Sequence, residues 1–140
     1  MPCFETYIMT CFWVGINRQL VRVLKERVSR SPKTLAQYLK SRNTRTENVA
    51  VQGQKLRAQE LDENFRHIQL YNPASVGRGY DCSTSDPFLC LLCEIYRVNI
   101  RHTYCGHLVE YTYVSGANSR PATHSAKTLV FTSSRGHFRG

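Results

Sequence analysis

Long apolar runs are missing from this chain. No stretch approaches the roughly 18 consecutive apolar residues that a bilayer-spanning helix needs. The apolar stretch near the start is short and broken by Thr6, Thr10 and Asn17. No secretory signal is therefore visible, and the expected setting is soluble and cytoplasmic. That expectation excludes a disulfide framework. The six cysteines, Cys3, Cys11, Cys82, Cys90, Cys93 and Cys105, are expected as free thiols with no bound metal. Internal repeats and domain linkers are also missing. The 140 residues are expected to form one domain, 1–140, with a single core.

Acidic residues are scarce, 10 against 19 Lys and Arg, for a net charge of +9. The excess is uneven. Residues 1–50 carry nine basic and three acidic side chains, residues 51–100 five and six, and residues 101–140 five and one. Such a surface attracts polyanions or acidic partners, although it also serves as an ordinary solvated face. Hydrophobic residues make up 41% of the chain, which excludes a disordered polyelectrolyte.

The apolar pattern places helices first and strands last. Leu20, Val21, Val23, Leu24 and Val28 follow helical spacing, which predicts a helix from Phe12 to Val28. Ser31-Pro32 and Ser85-Asp86-Pro87 are helix starts, a capping side chain followed by proline at the first helical position. They open a short helix through Leu39 and a nearly all-apolar one from Phe88 to Tyr96. Gln54 to Leu70 has a moderate helical pattern, and residues 41–53 and 71–85 are polar loops. Val98–His102, Leu108–Val114 and Thr128–Thr132 are expected strands, with Gly106 turning between the first two. The order indicates α+β.

Two residues stand out chemically. Cys11 sits directly before the first helix, where the positive end of the helix dipole favours thiolate. His137 follows the last strand and a glycine, a suitable place for a general base. A thiolate and a distant imidazole form the usual cysteine-hydrolase pair.

Cys11-Phe12-Trp13 ahead of a helix, the apolar run Asp86 to Tyr96, the strand Arg97 to Arg101, and Gly136-His137-Phe138 together resemble the ovarian-tumour (OTU) type of papain-like cysteine protease. The compact size is most similar to such a domain from an RNA-virus polyprotein. The resemblance implies a small α+β papain-like domain, with amino-terminal helices packed on a carboxy-terminal mixed or antiparallel sheet. It implies hydrolysis of peptide or isopeptide bonds by Cys11 and His137, with backbone N–H groups around Met9, Thr10 and Cys11 holding the oxyanion and no cofactor. The implied partners are ubiquitin, a ubiquitin-like protein or a polyprotein cleavage junction. The chain departs from the family at the Asp-Gly-x-Cys loop, which reads Ile8-Met9-Thr10-Cys11 here, and two residues after the histidine, where Arg139 stands in place of Asp or Asn. Cys3 is a second candidate nucleophile.

A competing constellation is Cys90, Cys93, His102 and Cys105, with His107 close by. Thiolate and imidazole ligands suit zinc, and a zinc site on so basic a chain would make it a nucleic-acid-binding module. Tyr104, Tyr111 and Tyr113 near Arg101 would then offer a stacking face. Inside an apolar helix, however, Cys90 and Cys93 share a face and suit core packing. On the hydrolase reading, nucleic-acid binding is expected to be weak.

Overall fold

The computed structural model describes residues 11–80, 82–115, 120–121, 127–134 and 137–139. Residues 115, 120, 121, 134 and 137–139 are described by their backbone. The elements are α1 (Cys11–Arg22), α2 (Pro32–Ser41), β1 (Val49–Val51), β2 (Gln54–Lys55), α3 (Ala58–Leu70), a 3-10 helix (Pro73–Arg78), α4 (Pro87–Tyr96), β3 (Asn99–Tyr104), β4 (His107–Ser115), β5 (Arg120–Pro121), β6 (Thr128–Ser134) and β7 (His137–Arg139). Six strands lie side by side in the order β2-β1-β4-β3-β6-β7, and β5 pairs with the end of β4. Among the described residues only β3 and β6 run parallel; the other pairs are antiparallel. The architecture is a small α+β domain with a mixed sheet. No helix among the described residues is long and apolar enough to cross a membrane.

The predicted caps are present. The Thr34 N–H donates to Ser31 Oγ at the start of α2, 3.3 Å away, and Pro32 follows the cap. Asp86 Oδ1 accepts from the N–H groups of Phe88 (2.9 Å) and Leu89 (3.3 Å) at the start of α4. The β3–β4 turn has Cys105 at φ 49° and Gly106 at φ 86°, the two left-handed residues of a type I′ hairpin.

Three boundaries differ from the sequence reading. First, α1 stops at Arg22 rather than Val28. Lys25 turns left-handed at φ 59°, and the Asn17 side chain captures the returning chain. Asn17 donates to Ser29 Oγ at 2.9 Å and accepts from the Arg30 N–H at 2.8 Å. Second, α3 starts at Ala58, not Gln54. Third, part of the expected loop 41–53 is strand. β1 and β2 form a tight hairpin with Gln52 at φ 51° and Gly53 at φ 79°, and β1 then pairs with β4. The Gln52 amide imitates a strand, donating to the Leu108 carbonyl at 3.0 Å and accepting from the Glu110 N–H at 2.9 Å.

One core joins the helices to the sheet. Phe12, Trp13, Ile16 and Leu20 of α1 meet Leu35 and Leu39 of α2, residues 88–93 of α4, and Ile100, Tyr111, Leu129 and Phe131 of the strands. Burial is the dominant favourable term here, since each fully buried large side chain contributes about 1.5–3 kcal/mol.

Candidate active site

Cys11 is the first residue of α1 and is buried; the sequence reading puts it directly before the helix and does not give it this burial. The helix packs against β6 and β7, and His137 is the first residue of β7. Its register partner on β6 is Ser134. The expected nucleophile therefore opens a helix that lies on the strand opened by the expected base. Met9, Thr10 and the His137 side chain lie outside the described residues, and so does Cys3.

Side-chain chemistry locks α1 to the sheet. Gln19 is buried on the apolar face of α1, and its Oε1 accepts from the Val130 N–H of β6 at 3.0 Å. Lys127 donates to the Val23 carbonyl at 3.2 Å. The amino-terminal turn is held from the other side by aromatic rings. Trp13 lies 5.0 Å from Phe12 and 4.9 Å from Phe88 between centroids, both nearly perpendicular. Tyr71 and Tyr80 also lie within 6 Å of Trp13, at 5.5 and 5.7 Å.

Cys11 is disulfide-bonded. This corrects the expectation of six free thiols. That expectation came from the missing export signal, which speaks to the redox compartment and carries no information on which sulfurs lie close enough to bond. Cys82, Cys90, Cys93 and Cys105 are free.

The zinc constellation does not assemble. Among the described residues no group of three or more His, Cys, Asp or Glu side chains is placed to hold a metal ion. Cys90 and Cys93 are fully buried in α4 and His102 in β3, while Cys105 is exposed on the hairpin turn. Burial raises both α4 thiols far above their ordinary range, the opposite of what thiolate ligands need. The tyrosine stacking face is also corrected. Tyr111 is fully buried and Tyr113 nearly so, and the Tyr111 hydroxyl accepts from the Asp86 N–H and donates to the Thr84 carbonyl.

Two buried ionisable groups were not anticipated as such. Asp86 is fully enclosed, and burial pushes its carboxyl up to about 6 even though Tyr80, Ser83, Leu89 and Phe88 all donate to it. His102 is fully buried beside Ser133 Oγ at 2.6 Å, and burial pushes it down to about 4. Their effects on stability have opposite signs. Asp86 holds a proton in the folded state that an unfolded Asp has released, so its contribution weakens as pH rises from about 4 to about 6. His102 stays neutral in the folded state where an unfolded His is charged, so its contribution weakens as pH falls from about 6.5 to about 4. Each effect amounts to about 3 kcal/mol over its full range. The two are expected to offset each other in the wild type. Denaturant titrations from neutral pH down to about 4.5 check this. Relative to the wild type, His102→Gln should gain stability on acidification and Asp86→Asn should lose it.

No family model matches the chain, and neither the curated proteins nor the solved structures contain a significant match.

Proposed function

We propose that this protein is a cysteine-type hydrolase of peptide or isopeptide bonds, of the papain-like OTU kind, with Cys11 as nucleophile and His137 as its base. The observation that carries this reading is the packing of α1, which Cys11 opens, against β7, which His137 opens. A helix N-terminus favours thiolate at its first residue, and an imidazole at the adjoining strand end suits proton transfer.

The disulfide at Cys11 makes the resting nucleophile latent. A thiol reductant first exchanges with it, becoming oxidised to its own disulfide and releasing Cys11 as a thiol. His137 accepts the thiol proton as the sulfur attacks the substrate carbonyl. Backbone N–H groups around Met9 to Cys11 stabilise the oxyanion. Collapse breaks the C–N bond, and His137 returns the proton to the leaving amine. Water then hydrolyses the thioester, releasing the carboxylic acid and restoring the thiol. The preferred substrates are ubiquitin, a ubiquitin-like protein or a polyprotein junction.

The test is turnover of ubiquitin carrying a fluorogenic carboxy-terminal amide. Hydrolysis is expected after incubation with a thiol reductant and is expected to be absent from Cys11→Ala. Equal turnover by Cys11→Ala would overturn the assignment.

A further inference from the structure

The basic excess is concentrated in one place. Residues 18–33 carry six Lys and Arg and one acidic residue, more than half of the chain's net charge of +9. The single acid, Glu26, is already engaged by Arg30 at 3.1 Å and by the Tyr96 hydroxyl at 2.8 Å. Arg18, Arg22, Lys25, Arg27 and Lys33 are all exposed. Among the described residues, none of Arg22, Lys25, Arg27 and Lys33 forms a salt bridge.

The chain also builds a groove there. Asn17 ties Ser29 and Arg30 back to α1, which leaves an open cleft of about 250 Å³ lined by Val14, Asn17, Arg18, Val21, Arg22 and Ser29. Arg18 and Arg22 are four residues apart, so their stems stand about 5–6 Å apart on one helix face. The Ser29 hydroxyl accepts from Asn17, which leaves its own proton for a ligand. The Arg22 guanidinium fork and a hydroxyl suit phosphate oxygens, and the two valines offer apolar contact to a sugar between phosphates.

We propose that this groove and the adjoining Lys25–Lys33 turn bind the sugar–phosphate backbone of nucleic acid without regard to base sequence. A backbone ligand fits better than an acidic protein face. The cleft is open, and among the described residues none that lines it is aromatic, so it lacks the core of a protein interface. The groove begins at Val14, one turn from Cys11, and reaches Arg22, about 16 Å from Cys11 along the helix at 1.5 Å per residue.

Fluorescence anisotropy with a labelled oligouridylate tests this. Affinity should fall linearly on logarithmic axes between about 50 and 200 mM salt. Arg22→Glu with Arg27→Glu should weaken binding about tenfold or more. Lys55→Glu with Arg66→Glu changes the net charge equally on β2 and α3 and should change affinity much less. Arg22→Gln with Arg27→Gln should reduce the salt slope by about 1.4, the value for two lost phosphate contacts on a single strand. Equal losses from the two charge-reversal pairs, no binding, or displacement of the RNA by poly-glutamate at matched charge would overturn the proposal.

Discussion

Trp13→Ala is expected to cost about 3–5 kcal/mol of stability, the usual range for removing a fully buried large aromatic side chain. Trp13 is completely enclosed, and its ring touches α1, α4 and the segments carrying Tyr71 and Tyr80. Little around it can collapse into the space, because its neighbours are themselves rigid rings. Trp13→Phe should cost much less by keeping part of the volume. Urea or thermal unfolding followed by circular dichroism checks both. Because Trp13 sits two residues after Cys11, the proposed function predicts that the alanine variant also loses hydrolysis beyond what its folded fraction explains.

The second large effect concerns the proposed pair, Cys11 and His137. His137→Ala should lower kcat/KM by about 100- to 10,000-fold, the range for losing a positioned general acid–base. Cys11→Ala should abolish turnover. The double variant should be no worse than Cys11→Ala, because the two side chains act as one unit. Additive losses measured in reduced protein would mean that the two residues contribute separately. Residual activity in Cys11→Ala close to that of His137→Ala would point to a different nucleophile.

Much of the frame was legible in the sequence because local chemistry dictates it. Ser31-Pro32 and Asp86-Pro87 cap α2 and α4, Gly106 turns the β3–β4 hairpin, and period-two alternation marks β4. The elements that escaped have weak local signals. β1 and β2 join through Gln52-Gly53, where glutamine takes a left-handed position that asparagine or aspartate usually occupies. β1 owes its place to pairing with β4, some 60 residues on, and no local window contains that partner. The end of α1 is set by Asn17 reaching Ser29 and Arg30, which overrides an apolar period that continues to Val28. Cys11 was legible as a residue at a helix start, whereas His137, expected to follow the last strand, opens a further strand, β7. The disulfide was not legible, since sulfur proximity is a tertiary property. Gln19 gave a faint signal as a polar residue on an apolar stripe, and its partner is the Val130 backbone N–H on a strand more than a hundred residues away.

The most direct measurement of the central claim is peptide mapping, by mass spectrometry, of the adduct formed between the protein and ubiquitin carrying a carboxy-terminal electrophile, with and without a thiol reductant. The account predicts modification of Cys11 in the reduced protein, strongly slowed in His137→Ala, and none before reduction. Modification of Cys3 with Cys11 unmodified, or of Cys11 at an unchanged rate in His137→Ala, would contradict it.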